Sequence, residues 1–303
     1  MAASGELGAL GNAGGGRWRS SVRCGFHVEW RHGGHGHVGR RTAPRRQARR
    51  LMNVRILTFN TLFRGRSRAR LSVLARLLEE SDYDVVCLQE VISPRNLAHL
   101  RRAAKSYPHV AHAATFPVVR GGLVTLSRRT ITRRHFQSFT PVRPARPEWL
   151  LRKGALFTRI RLPDGFLTIV NTHLSANMDM DWSMSNAYTR VEESELGELA
   201  GLIGRIGAAE PKVVMGDFNV PRSHELFREF ASATGLRDAL DGDTAPTFRP
   251  ELAVLEPIDQ ILVTPGIEAT TRLLFKDHVR LADGRFVPLS DHYAVEATLT
   301  LPA

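Results

Sequence analysis

The sequence predicts an α/β domain in which two β-sheets pack on each other and helices flank them. Three observations lead there. Apolar runs of strand length recur from residue 53 to residue 301. Some of them are adjacent in hairpins, around turns such as Pro163-Asp164-Gly165. The segments with helical spacing are short and fall between the strands, as layers over sheets do.

Taken in order, "NVRILTFN" (53–60) has the length and apolar weight of a core strand. "ARLSVLARLLEES" (69–81) sets Leu71, Leu74, Leu77 and Leu78 at helical spacing with Arg on the other face. "YDVVCLQE" (83–90) is a second buried strand, and "RNLAHLRRAA" (95–104) a helix. "GGLVTLS" (121–127) and "ITRRHFQSF" (131–139) are strands, followed by a Pro- and Arg-rich loop at 140–149. "GALFTRIRL" and "FLTIVNTHL" flank the Pro163-Asp164-Gly165 turn. Residues 188–206 predict a helix that Gly197, Gly201 and Gly204 weaken. "KVVMGDFNVP" (212–221) opens as a strand, with a helix near 222–233. "IDQILV" (258–263), "ATTRLLF" (269–275) and "HYAVEATLTL" (292–301) are late strands. With no internal repeat and no interior linker, residues 52–303 are expected to form one domain.

Composition bounds the function. Hydrophobic residues make up 43% of the chain and charged residues 24%, enough for a large core. No apolar run approaches the ~20 residues of a membrane span. The formal charge of +12 is uneven: ten Arg and two Glu give residues 1–51 a charge of +8, leaving +4 for residues 52–303. The basicity therefore belongs to the tail and says little about the partners of the main domain. That tail is rich in Gly, Arg and His without apolar periodicity and is expected to be disordered. It lacks the apolar centre of a secretory signal. His27, His32, His35 and His37 read as a solvated segment, not a metal site. Met52, just before the first strand, is read as the natural start. Cys24 and Cys87 make neither a disulfide framework nor a zinc spacing, and Cys87 reads as a core residue. A cytoplasmic monomer is expected.

The repeated feature is an apolar strand that ends in a group able to meet a metal or a phosphate. Asn60 ends the first, Glu90 the second, Asn171 and His173 the hairpin, and Asp217 and Asn219 the run at 212–219. Asp259 begins another strand, and Ser290, Asp291 and His292 precede the last. Side chains two apart on a strand share a face, so Asn171 with His173, and Asp217 with Asn219, can each aim at one point. A desolvated carboxylate costs several kcal/mol unless it meets a cation or donors. Each position alone has a plain account as a turn, a cap or a hydrogen-bonded core histidine; six strand ends together do not.

"LTFNTL", "CLQEV", "VNTHLSAN", "VMGDFN", "PIDQILV" and "LSDHYAV" resemble, in order, the motifs of the endonuclease/exonuclease/phosphatase superfamily with the deoxyribonuclease I-like fold. The resemblance runs from about residue 53 to the C-terminus. It implies a four-layer α/β sandwich, two mixed sheets face to face with helices outside, and a site at one rim. Hard oxygen donors without Cys point to Mg²⁺ or Mn²⁺. By resemblance, Glu90 is the main metal ligand, helped by Asn60 and Asp291. Asp217 orients or deprotonates the attacking water, and Asn219 fixes that water and a phosphoryl oxygen. His173 and His292 donate to phosphoryl oxygens, and Asp259 orients His292. Asn171 and Lys153 are the expected substrate contacts.

The resemblance implies a phosphate-ester substrate. "FNTL" and "PIDQ" depart from the "N.NG" and "RIDY" patterns of the abasic-site nuclease branch. "GGLVTLSR", "RKGALFTRI" and "NTHLSAN" are closer to neutral sphingomyelinases, related phospholipid phosphodiesterases and unassigned bacterial hydrolases. The segment "NMDMDWSMSNAY" (177–188) is a candidate lid or lipid-contacting loop, or a loop packed on its own domain. A lipid-like or small phosphodiester is therefore expected. Nucleic acid is the alternative, because Arg64, Arg66, Arg68 and Arg70, and Arg128, Arg129, Arg133 and Arg134, could track a phosphate backbone. A binding protein that has lost turnover is a third reading, against which stand all the reactive positions.

Overall fold

Successive residues of a strand face opposite ways, and Val54, Ile56 and Thr58 alternate with Leu57 and Phe59 while all five are buried. Such a strand must be covered on both faces. The computed structural model, which describes residues 51–143 and 151–302, shows by what. The chain begins β1 (Leu51–Asn60), α1 (Ser67–Glu79), β2 (Val85–Gln89), α2 (Pro94–Ala103), β3 (His109–Thr115), β4 (Val118–Ser127) and β5 (Ile131–Ser138). It continues with β6 (Gly154–Leu162), β7 (Gly165–His173), α3 (Ala187–Ile203), β8 (Lys212–Asp217), α4 (Glu225–Thr234) and β9 (Arg237–Asp238). It closes with β10 (Asp259–Val263), β11 (Glu268–Leu274), β12 (His278–Arg280), β13 (Phe286–Pro288) and β14 (Ala294–Pro302).

Two six-stranded sheets result, in the orders β11-β14-β1-β2-β4-β3 and β5-β6-β7-β8-β10-β9. Each is mixed: β1–β2 and β7–β8 run parallel, and the other pairs antiparallel. Between the sheets, Val54, Ile56, Val85 and Cys87 of one pack with Leu167, Ile169, Val213 and Met215 of the other. On the outer face of the first sheet, Leu57 and Phe59 meet Leu71, Leu74 and Leu78 of α1 and Leu97 and Leu100 of α2. On the outer face of the second, Val170 and Val214 meet α3 and α4 through Leu196, Leu199, Phe227 and Phe230. This is the α/β sandwich of the deoxyribonuclease I-like fold, four layers deep.

Some elements differ from the sequence reading. β3, β9, β12 and β13 were not expected: they are short or carry mixed polarity, and their neighbours, not their own periodicity, make them strands. α4 starts at Glu225, where the His224 side chain accepts the N–H of Leu226 as an N-cap, instead of near residue 222. The last strand starts at Ala294, which leaves His292 outside it, in an isolated bridge with Phe248. Arg70 is neither a solvated residue nor a phosphate contact. It is buried, and its guanidinium donates to the carbonyls of Thr61, Leu62, Arg64, Gly65 and Leu289. Cys87 is in the core, as read. The expected tail, with Cys24, His27, His32, His35 and His37, and residues 144–150 of the Pro/Arg loop lie outside the described residues. Among the described residues no helix is long and apolar enough to cross a membrane.

Candidate active site

Strand register assembles the polar residues. Across the second sheet Gly154 pairs with His173, His173 with Asp217, and Asp217 with Asp259. Lys153, His173, Asp217 and Asp259 therefore begin as neighbours in one row. In the first sheet Asn60 pairs with Gln89, one residue before Glu90. Each strand carries an inward face that turns polar toward the same rim, as in Val54-Ile56-Thr58-Asn60, Leu167-Ile169-Asn171-His173 and Val213-Met215-Asp217. Gly216 lets β8 approach β7 closely beside this row. Its φ is +149°, and a Cβ there would lie 1.9 Å from the carbonyl oxygen of Thr172.

Asp217 is the hub. It is 1% exposed, and its Oδ2 accepts from Asn60 Nδ2 at 2.9 Å. The same oxygen lies 3.3 Å from His173 Nε2 and 3.7 Å from His292 Nε2, while Oδ1 accepts the N–H of Asn219 at 3.0 Å. Asn60 comes from the other sheet, so this contact closes the rim across the sandwich. Burial pushes the Asp217 carboxyl up to about 7; His292 opposes this, Asp259 adds to it, and Lys153 and the Asn60 hydrogen bond oppose it.

His292 has the complementary environment. Burial disfavours its cation, but Asp259, whose Oδ2 is 2.9 Å from Nδ1, and Asp217 outweigh that and raise its pKa to about 10. Thr247 Oγ1 anchors Asp259 by accepting the N–H groups of Ile258 and Asp259. The Phe248 ring stands edge-on to the imidazole, with centroids 5.2 Å apart. The result is an imidazolium between two carboxylates.

Three residues sit differently from the sequence reading. Lys153 Nζ lies 2.5 Å from His173 Nε2, and burial, then Lys153 and His292, hold the His173 pKa well below its usual value. His173 is thus neutral at neutral pH, with the Lys153 amine against its Nε2. Asn171 does not face substrate. It is fully buried, donates from Nδ2 to the carbonyls of Leu88 and Val124, and accepts from Gln89 Nε2 at 2.8 Å. It ties one sheet to the other beneath the site. Asn219 holds Leu174 O through its Nδ2 and braces Asp217 through its backbone.

Glu90 stands just past β2 in the left-handed region, with φ +64°, and its Oε1 is 3.4 Å from Asn60 Nδ2. Its Oε2 accepts the N–H of Phe63 at 2.7 Å. Gly122 makes this bend fit, because a Cβ there would lie 3.0 Å from Glu90 Cα. Asp291 accepts from Ser290 Oγ, and Asp291 and Glu90 both act on the Arg70 guanidinium, whose pKa burial lowers and these two carboxylates raise. The ligand atoms of Asp217, Asp259 and His292 lie within 4.8 Å of one another, a spacing that suits a metal ion. The oxygen atoms of Glu90 and Asn60 suit a hard divalent cation. The buried Asp259 Oδ1, which has no hydrogen-bond partner among the described residues, is a further oxygen at the same rim.

Sequence reasoning missed Thr58, Gln89 and Thr247. Gln89 Nε2 donates to Thr58 Oγ1, extending the polar layer under the site, and Trp182 Nε1 donates to Asn219 O. The polar positions of β1 and β2 were visible inside apolar runs. Nothing in one sequence marks Thr247.

Residues 57–292 match the Endonuclease/Exonuclease/phosphatase family. The chain belongs to this family. Members of the endonuclease/exonuclease/phosphatase family are generally hydrolases acting on phosphoester bonds. None of the curated proteins compared with the chain matches it. Among solved structures it is similar to sphingomyelinase C from Streptomyces griseocarneus, at 19% identity over 82% of this chain and 99% of that one, with a TM-score of 0.64. It is also similar to a variant beta toxin from Staphylococcus aureus with bound magnesium ions, at 15% identity over 81% and 99%, with a TM-score of 0.68. TDP2 from Caenorhabditis elegans is 16% identical over 82% of this chain and 74% of that one, with a TM-score of 0.64. These likenesses concern the fold.

Proposed function

We propose that the protein is a Mg²⁺- or Mn²⁺-dependent phosphodiesterase acting on a lipid-like phosphodiester by direct attack of water. The observation that carries this reading is Asp217, a buried carboxylate held by Asn60 and set between the two imidazoles. Asp217 takes a proton from the water as it attacks phosphorus, with the Asn219 N–H fixing the other carboxylate oxygen. The His292 imidazolium, held by Asp259, and the Lys153 ammonium, braced on His173, donate to phosphoryl oxygens as charge grows there. Glu90 and Asn60, with Asp291 nearby, would hold the cation, which when bound would supply Lewis-acid polarisation of the phosphate.

Two observations favour a lipid-like ester over nucleic acid. Four of the eight arginines that suggested a nuclease are spent on the fold: Arg70 on five carbonyls, Arg66 on Asp283, Arg129 on Asp84, and Arg128 on the Tyr83 and Ser81 carbonyls. One similar structure is, by name, a sphingomyelinase. The test is hydrolysis, with Mg²⁺ and with chelator, of bis-p-nitrophenyl phosphate, sphingomyelin and plasmid DNA. Metal-dependent phosphocholine release supports the reading. Cleavage of DNA alone overturns the substrate class, and no hydrolysis of any substrate overturns the enzyme.

A further inference from the structure

The exposed apolar residues are not scattered. Among the described residues ten large hydrophobic side chains are exposed, and nine of them lie on loops, or on the short strand β13, near the active-site rim. Phe63 follows Asn60 and donates its N–H to Glu90. Phe116, 98% exposed, tips the β3–β4 hairpin, whose inner strand reaches Glu90 through Gly122. Val142 follows β5, which ends opposite Gly154 and hence beside His173. Met178, Met180 and Met184 lie between His173 and α3, on the loop pinned by Trp182 to Asn219. Leu252 and Val254, the latter 93% exposed, lie between Phe248 and Asp259. Phe286 lies on β13, ahead of Asp291. The tenth residue, Leu51, begins β1 at the opposite end, where the other loops carry no large exposed apolar side chain among the described residues.

Single exposed apolar residues need no explanation, but this segregation does. Six segments from both sheets share it, so no one packing defect accounts for it. We infer that the rim is an interfacial face that seats on a phospholipid bilayer and presents the active site to its headgroups. The occupant follows from chemistry on the page: one face joins apolar side chains to a group built for a phosphate ester, and a phospholipid carries both parts. A second copy of the chain would cover the site. This inference rests on the proposed phosphodiesterase reading only for the choice of a lipid.

The test uses the full chain and vesicles of phosphatidylcholine with sphingomyelin. Phe116→Ser, Met178→Ser, Val254→Ser and Phe286→Ser, combined, change four loops without touching the core. Sedimentation with vesicles in chelator measures docking apart from turnover. The wild-type chain is expected to sediment with vesicles, and the combined variant to lose that binding tenfold or more. Its vesicle hydrolysis should fall in proportion, with turnover of bis-p-nitrophenyl phosphate unchanged. Equal vesicle binding by the two chains, no vesicle binding by the wild type, or a dimer in light scattering that the variant abolishes each overturns the inference. Hydrolysis of the soluble ester without vesicle binding sinks the docking face alone. Vesicle binding without hydrolysis of any ester sinks the enzyme and leaves the face standing.

Discussion

Asp217 and His292 form a pair whose environments drive their proton affinities in useful directions. Burial raises the carboxyl, so it can take a proton near neutrality, while Asp259 and Asp217 keep the imidazole charged against its burial. Asp217→Ala or His292→Ala should lower turnover by about 10²-fold or more, with the circular dichroism spectrum unchanged. The pH profile separates their roles. Turnover should rise with pH as Asp217 ionises and fall as the His292 imidazolium loses its proton. Asp259→Asn removes an anion that stabilises the imidazolium, so the His292 pKa drops and the alkaline limb should move to lower pH. An alkaline limb that stays in place would deny His292 this role. The charged positions were legible because a carboxylate at the end of an apolar run is an anomaly in one sequence. Asn171 and Arg70 misled for the opposite reason. Their residue types announce hydrogen bonding, but only the folded chain shows that backbone carbonyls, not phosphate, receive it.

At the scale of elements, the β7–β8 seam carries the site. His173 and Asp217 face each other only because Gly216 permits the two backbones to meet. Gly216→Ala places a methyl against the Thr172 carbonyl, which is backbone and cannot swing away. The variant should lose about 3 kcal/mol in urea unfolding and most of its activity together. Asn171→Ala probes the tie between the sheets. It strands two carbonyls and the Gln89 amide in the core, a cost of about 2–4 kcal/mol. Because Asn171 does not reach substrate, KM for bis-p-nitrophenyl phosphate should hold; a raised KM at full folding would restore the substrate role. The long buried strands and the leucine-spaced helix α1 were readable from periodicity alone. β9, with two residues, and β12 and β13, with three each, have too little length for any period to register. His292 illustrates a boundary error with a consequence: "HYAVEATLTL" reads as one strand, yet the chain leaves the ladder at its start and aims the imidazole at Asp259.

Across the whole molecule, the sandwich is a clamp whose two jaws carry unlike donors. The first sheet brings Asn60 and Glu90, and the second brings Asp217 and Asp259. The rim concentrates carboxylates, and the Asn60 amide, His292, Lys153 and Arg70 offset them there. A divalent ion held by Asn60 and Glu90 beside Asp217 would therefore favour the closed sandwich, and it would bind the folded state alone because Glu90 lies 30 residues and Asp217 157 residues from Asn60 in the chain. Mass action then fixes the size of the effect: at 100-fold excess over Kd the folded state gains about 2.7 kcal/mol. For a domain of this length that corresponds to a rise in Tm of roughly 5–10 °C. Mg²⁺ or Mn²⁺ added to the metal-free protein should produce that rise with a saturable midpoint, and Glu90→Gln should move the midpoint to higher concentration. Glu210→Gln, at the far end of β8 where the carboxylate pairs with Arg159, should leave the midpoint where it was. A Tm indifferent to the ion, or a midpoint that Glu90→Gln does not move, would place any cation somewhere other than the seam between the two sheets.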